Sequence, residues 1–238
     1  MTMSRRARPF VVANFAITAD GKISTRRRTP AQFSSARDKR SLLEIRAEAD
    51  AILVGHATVA TDAMTMGLPD AKMRAKRMAR GQAEFPLRVI VTNSGKLNSD
   101  LRLFRTQAGR VVIFTSSRMS KRAETALRAL DAIIHRHAGA AVRLSRLMRQ
   151  LRVTHGVRRL VCEGGATLFR TLIEAGLVDQ VYLTISPTIF GGRSAPTLTG
   201  EPGAFLPRSV ELRRLSQTVT SDGEIFLKFA VRRTVQKK

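Results

Sequence analysis

Short apolar runs alternate along the chain with segments in which apolar residues recur at helical spacing. The runs are rich in β-branched residues and end in glycine, proline or small polar residues, which is typical of strands. The predicted strands cover residues 9–16, 51–55, 87–92, 111–115, 132–135, 160–163, 178–187, 210–217 and 225–231. The predicted helices cover residues 36–49, 71–79, 123–130, 142–151 and 166–177. This order of strands and helices predicts an α/β protein.

The predicted fold is a mixed, mostly parallel sheet with helices on both faces. The last two strands are joined across Ser221-Asp222-Gly223, and they predict a C-terminal antiparallel hairpin. Ligands of such sheets lie outside the carboxyl ends of the strands. Thr58, Ser94, Ser116 and Gly164 each stand in a turn that follows a predicted strand. The pattern therefore predicts a binding site along one edge of the sheet.

The segment from Leu160 to Phe169 is the strongest candidate for a phosphate site. A buried strand leads into Gly164 and Gly165, and helical spacing begins directly afterwards. Glycines allow an anion to approach the main chain, and the first N–H groups of a helix have no partners within it. Thr167 adds a hydroxyl group there. An isolated glycine pair is more often a plain strand-to-helix turn, so the prediction depends on the flanking residues.

The charge of the chain is strongly positive. The 238 residues carry a formal net charge of +24, and such an excess is usual in proteins that bind nucleic acids. The basic residues are spread among the predicted elements, however, and the chain has no Trp and one Tyr to stack on bases. We therefore expect a solvated basic surface that attracts phosphate-bearing small molecules and binds nucleic acid only weakly and without specificity.

Length and composition favour one domain. With 43% hydrophobic residues, the chain can form a sizeable core, and we expect a single domain over residues 9–233 with basic, flexible termini at 1–8 and 234–238. The chain has no apolar run of about 18 residues, and its first residues lack the apolar segment of a secretory signal. A cytoplasmic protein without membrane contact is therefore expected.

The remaining reactive residues indicate no metal chemistry. Cys162 is the only cysteine, and its place in an apolar strand predicts a core position. His135 and His137 lie at a strand end without an acidic neighbour in the sequence. We therefore expect no metal site.

Seven motifs occur in the order that they have in a known family. They are Thr18-x-Asp20-Gly21-Lys22, Arg46-Ala47, Gly55-x-x-Thr58-Val59-x-x-Asp62, Arg88-Val89-Ile90-Val91-x-x-Ser94, Glu163-Gly164-Gly165-x-Thr167-Leu168, Glu174-Ala175-Gly176-Leu177-Val178-Asp179 and Ile185-x-Pro187-x-Ile189-Phe190-Gly191-Gly192-x-x-Ala195-Pro196. Together they resemble the pyrimidine reductases of riboflavin biosynthesis, which stand alone in archaea and fungi and form the C-terminal half of bacterial RibD. The resemblance covers about residues 9–231 and implies a dihydrofolate reductase-like fold.

The resemblance also implies a homodimeric enzyme that uses NADPH. Its substrate would be an aminopyrimidine with a phosphorylated ribosylamino group, and transfer of a hydride to C1′ of the opened sugar would give a ribitylamino group. The implied cofactor-binding residues are Thr58, Asp62, Ser94, Lys96, Gly164, Gly165, Ala166, Thr167, Leu168 and Phe169. The implied substrate-binding residues are Arg46, Met66 and Glu163. Lys22, Asp20, Glu163 or a held water would protonate the imine nitrogen, and the sequence leaves this choice open.

The chain departs from the family at the substrate side. Members usually have Asp-Asp-Pro and then Leu-Thr-Val-Arg after the Thr-Val turn, whereas Ala-Met-Thr-Met-Gly-Leu-Pro follows Asp62 here. The arginine that would hold the substrate is therefore missing, and the candidates to replace it are Lys72, Arg74 and the run Arg26-Arg27-Arg28. Pro30 also stands where a serine often contacts substrate.

Three functions follow from these features. We favour an NADPH-dependent reductase of riboflavin biosynthesis. A paralogous reductase with a different pyrimidine or pterin substrate would account for the departures from the family pattern. An RNA-binding protein that reuses the same sheet would account for the charge. Arg46 also has two explanations, a substrate contact or a favourable charge near the end of a helix.

Overall fold

The computed structural model describes residues 7–25, 33–62, 64–200 and 205–232, without the side chains of Thr61 and Asp62. Nine strands are found in these residues: β1 (Phe10–Thr18), β2 (Ala51–Gly55), β3 (Leu87–Thr92), β4 (Val111–Thr115), β5 (Ile133–Arg136), β6 (Arg159–Gly164), β7 (Gln180–Ser186), β8 (Leu212–Val219) and β9 (Ile225–Val231). The same residues contain seven helices: α1 (Ala36–Glu48), α2 (His56–Asp62), α3 (Ala71–Ala79), α4 (Arg102–Arg105), α5 (Lys121–Arg128), α6 (Leu144–Thr154) and α7 (Ala166–Glu174). The predicted α/β class is confirmed, whereas the short helix α4 was not predicted.

The strands form a mixed, mostly parallel sheet. They are hydrogen-bonded in the order β5-β4-β3-β2-β6-β1-β7-β9-β8. Neighbours from β2 to β5 pair in parallel, as do β1 and β7. Strand β9 pairs antiparallel with both β7 and β8. The predicted C-terminal hairpin is therefore confirmed, and β5 lies at the other edge of the sheet from β8.

The described residues form two compact units. Unit 1 contains residues 7–9 and 41–161, and unit 2 contains the described parts of 10–40 and 162–238. The single domain over residues 9–233 stays a prediction. The predicted flexible termini lie outside the described residues except at Ala7 and Arg8, and the side chain of Arg8 is buried.

Unit 1 is built around three apolar strands whose side chains are buried on both faces. Ile52, Leu53 and Val54 of β2 are fully buried, as are Val89 and Ile90 of β3 and the residues Val112–Phe114 of β4. Helix α6 contributes Leu144, Leu147, Met148 and Leu151. Strands covered on both faces read as continuous apolar runs, which is why these three were predicted residue for residue.

Unit 2 has its core between β1 and α7. Val11, Val12 and Ala13 of β1 are fully buried, and the rings of Phe15 and Phe169 lie 4.9 Å apart at 59°. Tilted aromatic pairs of this kind stabilise a core beyond the area that they bury. The β1–α7 core therefore fixes the position of the helix start that was predicted to hold phosphate.

Local hydrogen bonds decide the helix ends. The Ser35 hydroxyl accepts from the Asp38 N–H at 3.0 Å, which confirms the predicted start of α1. The Ser120 hydroxyl accepts from the Ala123 N–H at 3.2 Å, so α5 begins at Lys121, two residues before the prediction. No described helix combines the length and apolar character that crossing a bilayer requires.

Candidate functional site

The turn between β6 and α7, in unit 2, has the backbone that the phosphate prediction requires. Gly164 ends β6 with φ 147°, in a region that favours glycine. Gly165 is the N-cap of α7 with φ −49° and ψ 157°, an ordinary extended conformation, and no side chain caps the helix. The two glycines therefore differ, because only Gly164 needs to be glycine for backbone reasons.

The start of α7 leaves main-chain donors available. The first hydrogen bond of the helix runs from the Phe169 N–H to the Gly165 carbonyl oxygen at 3.0 Å. The helix itself therefore offers no partner to the N–H groups of Ala166, Thr167 and Leu168, which lie at the positive end of its dipole. Leu168 and Phe169 are buried, whereas Thr167 is exposed. This arrangement suits a phosphate or diphosphate group.

The residues before the turn have different roles. Glu163 is half-buried at the end of β6, and its carboxylate can accept hydrogen bonds from amino and ring N–H groups. Cys162 is fully buried, as predicted, and burial raises the pKa of its thiol to about 12. The Cys162 thiol is therefore protonated at neutral pH and unreactive.

Asp20 and Lys22 belong to the loop after β1, also in unit 2. The Asp20 carboxylate accepts from the Thr18 hydroxyl at 2.6 Å and from the main-chain N–H groups of Phe190 and Gly191 at 3.1 and 2.8 Å. The Thr18 hydrogen bond is the main reason why the pKa of Asp20 is lowered. Lys22 donates its N–H to the Thr18 hydroxyl at 2.9 Å. Asp20 thus ties the loop that contains Phe190 and Gly191 to the turn after β1.

In unit 1, three of the predicted binding turns follow neighbouring parallel strands. Thr58 lies in α2 directly after β2, Ser94 follows β3, and Ser116 follows β4. The Ser116 hydroxyl donates to the Asn93 carbonyl oxygen at 2.5 Å, which ties the ends of β3 and β4 together. Three of the four predicted turns therefore follow neighbouring strands of unit 1, and a binding site there stays a prediction.

The turn after β3 is tightly built. The Ser94 hydroxyl accepts from the Lys96 N–H at 3.3 Å, and the Lys96 side chain is exposed. Gly95 has φ 68°, and a Cβ atom there would lie 2.6 Å from the Met119 side chain. Ser94 and Lys96 are thus presented by a turn that only glycine can form. Asp62 ends α2, and its side chain lies outside the described part of the structure.

The segment that departs from the family pattern is held by buried arginines in unit 1. Arg46 is 7% exposed, and its Nη1 donates to the Gly67 carbonyl oxygen at 2.8 Å. Met66 is fully buried with φ 53°. Arg88 is 4% exposed and donates to carbonyl oxygens of Thr65, Leu103 and Gly109. The substrate contacts of Arg46 and Met66 stay predictions.

The candidates to replace the missing arginine differ in their surroundings. Arg74 donates to the Leu68 and Pro69 carbonyl oxygens at 3.0 and 2.6 Å and pairs with Glu84 at 2.9 Å. Lys72 is exposed on α3. The run Arg26-Arg27-Arg28 and Pro30 lie outside the described residues.

Three charged residues that organise these regions were given no role from the sequence, although two of them stand in the quoted motifs. They are Arg88, Asp179, whose carboxylate accepts from the Val11 N–H at 2.9 Å, and Glu224, which accepts from the Ser35 hydroxyl at 2.6 Å. All three are buried. A lone charge beside apolar strand residues was the available signal, because such a charge must find polar partners when the strand is buried.

Comparison with known proteins assigns the family. The RibD C-terminal domain family matches residues 9–223. A protein of Archaeoglobus fulgidus is 34% identical over 191 residues, which cover 80% of this chain and 86% of the relative. A protein of Methanothermobacter thermautotrophicus is 30% identical over 226 residues, which cover 94% of this chain and 99% of the relative. Both are named 2,5-diamino-6-ribosylamino-4(3H)-pyrimidinone 5′-phosphate reductase.

A solved structure supports the same fold. The pyrimidine reductase-like protein of Corynebacterium diphtheriae superimposes with a TM-score of 0.81 at 19% identity, covering 98% of this chain and 96% of its own. The fold is that of an α/β protein, and the two archaeal relatives show the reductase class. The chain belongs to the RibD C-terminal domain family, as its sequence motifs predicted.

Proposed function

We propose that this protein reduces the ribosylamino side chain of a phosphorylated aminopyrimidine in riboflavin biosynthesis, with NADPH as cofactor. The β6–α7 turn carries the proposal, because Gly164 and the uncapped start of α7 fit a dinucleotide diphosphate in a chain of this family. The two archaeal relatives, named as reductases of such a pyrimidine phosphate, support the substrate class.

The residues that we assign to NADPH binding form two sets, one in each unit. In unit 2, the N–H groups of Ala166, Thr167 and Leu168 would hold the diphosphate. In unit 1, we assign Thr58 and Asp62 to cofactor binding and Ser94 and Lys96 to its adenosine end, where the Lys96 ammonium suits a 2′-phosphate. When bound, NADPH supplies the hydride that reduces C1′ of the substrate.

The substrate side of the proposal depends on Glu163, Lys22 and Asp20. The Glu163 carboxylate accepts hydrogen bonds from the amino and ring N–H groups of the pyrimidine and so orients it. The imine nitrogen takes a proton from Lys22 or a held water, because the Glu163 carboxylate serves as an acceptor. We assign Asp20 to positioning the Phe190–Gly191 loop, since a carboxyl group with a lowered pKa is ionised at neutral pH and is a poor acid.

Turnover and cofactor titration test this function. The protein should oxidise NADPH in the presence of the diaminopyrimidine ribosylamine phosphate and should bind NADPH more tightly than NADH. Glu163→Gln should lower kcat/KM by at least about 100-fold while NADPH affinity stays within about twofold, because the change removes charge from the substrate side alone. A protein that binds NADPH but leaves this pyrimidine unreduced would disprove the substrate.

A changed substrate is the second candidate. It is favoured by the segment after α2, where Arg46 and Arg74 are both bonded to carbonyl oxygens of residues 67–69. Arginines engaged in this way have fewer donors for a substrate phosphate. Steady-state turnover of dihydrofolate and related pterins, compared with the ribosylamine phosphate, separates the two candidates.

Homodimer formation is part of the proposal. Strand β8 lies at the edge of the sheet with all of its residues exposed, including Leu212, Leu215 and Val219 at 41, 41 and 56%. An exposed apolar edge strand favours association with a second copy. Sedimentation should show a dimer that Leu215→Arg dissociates.

A cytoplasmic location also belongs to the proposal, because a phosphorylated substrate does not cross membranes unaided.

A further inference from the structure

Unit 1 contains a groove at the end of its sheet opposite to Thr58 and Ser94. Asp50 precedes β2, Leu87 begins β3 and Arg110 precedes β4, and all three line a groove of about 600 Å³. Thr58 and Ser94 follow the same strands at their carboxyl ends. Strands of five or six residues are roughly 17–20 Å long, so the groove is separate from the binding edge of unit 1.

The groove holds more arginines than carboxylates. We call it the arginine groove, after Arg77, Arg80, Arg110 and Arg158, which line it together with His155. Asp50 accepts instead from the main-chain N–H groups of Arg158 and Arg159 at 2.8 and 2.9 Å and from the Gln82 amide at 2.8 Å. Glu84 pairs with Arg74, on α3. In the described residues, neither carboxylate forms an ion pair with a groove arginine.

Arg77 is buried, and two of its three guanidinium nitrogens donate hydrogen bonds to described residues. It is 1% exposed, and its Nε and Nη1 donate to the carbonyl oxygens of Ala83, Arg46, Ala47 and Ala49. No described residue accepts from its Nη2. Burial lowers the pKa of Arg77, since desolvation disfavours the charged form, and the nearby Asp50 carboxylate opposes this effect only in part. An anion in the groove would stabilise this charge.

The remaining arginines surround the same space. Arg80 is held in place, because its Nη2 donates to the Ala47 carbonyl oxygen at 2.7 Å and to Gln82 at 3.1 Å. The guanidinium groups of Arg110 and Arg158 form no hydrogen bond or ion pair with described residues. Planar guanidinium groups bind phosphate oxygens through paired N–H donors. The groove therefore combines fixed and free donors for a phosphate-bearing ligand.

We infer that the arginine groove binds a small molecule that carries a diphosphate, at a site distinct from the β6–α7 turn. Its volume is in the range of about 300–1,000 Å³ that is usual for small-molecule sites. Gly81 and Gly156 line it with positive φ, and a Cβ atom at either position would meet nothing within 4 Å. Ligand phosphates can therefore approach the main chain as well as the arginines.

Calorimetric titration with inorganic pyrophosphate tests the site. Arg110→Gln/Arg158→Gln should weaken binding at least about tenfold, because charge-assisted hydrogen bonds are lost. The matched control is Arg146→Gln/Arg149→Gln, which removes two exposed arginines of α6 outside this groove. The control should change the affinity less than twofold. Equal weakening in both variants would show general attraction by the +24 charge and would overturn the proposal.

Two further readouts separate this site from the proposed cofactor site. Pyrophosphate should shift the ring signals of His155 in NMR spectra, and unmoved signals would overturn the proposal. The Arg110→Gln/Arg158→Gln variant should bind NADPH like the wild type. Loss of NADPH binding would mean that these arginines serve the coenzyme. Binding of an RNA oligomer with no response to pyrophosphate would exclude a small ligand.

Discussion

Replacement of Gly165 by aspartate tests the proposed diphosphate site without testing the fold. Gly165 has an ordinary extended backbone at the N-cap of α7, a position in which aspartate and asparagine are favoured residues. Exchanging glycine for a capping residue changes stability by only a few tenths of a kcal/mol. Gly165→Asp should therefore unfold in urea at nearly the same midpoint as the wild type.

The effect on NADPH binding should be large. Two unit charges about 4 Å apart interact by about 4 kcal/mol at an effective dielectric constant of 20. The new carboxylate would stand beside the diphosphate and would also occupy the N–H groups at the start of α7. Allowing for screening by salt, we expect a loss of at least about 2.7 kcal/mol, which is a hundredfold weaker Kd.

Fluorescence titration with NADPH measures this loss, and Gly165→Asn is the matched control. Asparagine has the size and capping ability of aspartate without its charge, so Gly165→Asn should bind NADPH within about tenfold of the wild type. Wild-type affinity in the aspartate variant would refute the placement of the diphosphate. Equal losses in both variants would show that bulk, not charge, is responsible.

Three further predictions concern stability. Gly164→Ala should cost about 1–3 kcal/mol of unfolding free energy because φ is 147°, and a urea midpoint like that of Gly165→Ala would contradict this. Arg88→Met should cost roughly 3 kcal/mol, since three carbonyl oxygens lose their donor; the exposed Arg105→Met is its control. Burial lowers the pKa values of His135, His137 and His155 below 6.5. A nearby arginine lowers each pKa further: Arg128 for His135, Arg146 for His137 and Arg110 for His155. The unfolded chain then binds more protons, so stability should fall as pH drops below 6.5 and less so in His135→Gln/His155→Gln.

The histidines of β5 and of the end of α6 form a hydrogen-bonded network with Gln150. Gln150 donates its amide N–H to His135 Nδ1 at 2.7 Å, and the Nε2 atoms of His135 and His155 lie 2.8 Å apart. With Gln150 as donor, His135 must carry its proton on Nε2 and donate to His155. One hydrogen-bonded chain thus joins β5 to the end of α6, which accounts for histidines that the sequence left without a partner.

Much of the fold could be predicted from the sequence because its information is local. The strands β2, β3 and β4 are apolar runs between turns, broken only by Arg88 in β3, and a sheet covered on both faces favours that pattern. The β6–α7 turn was equally visible, since strand, glycine pair and helical spacing follow one another within ten residues. Helix ends were less certain, because a single hydroxyl such as that of Ser120 moves the start of α5 by two residues.

Only the tertiary structure decided which charged residues serve the fold. Asp179 accepts from Val11, 168 positions away in the chain, and Arg88 donates to Thr65 and Gly109 in loops on either side of β3. The cost of burying a charge is offset only by partners that folding brings together, and local sequence does not specify them. For the same reason, the different backbones of Gly164 and Gly165 and the free nitrogen of Arg77 became visible only in the folded chain.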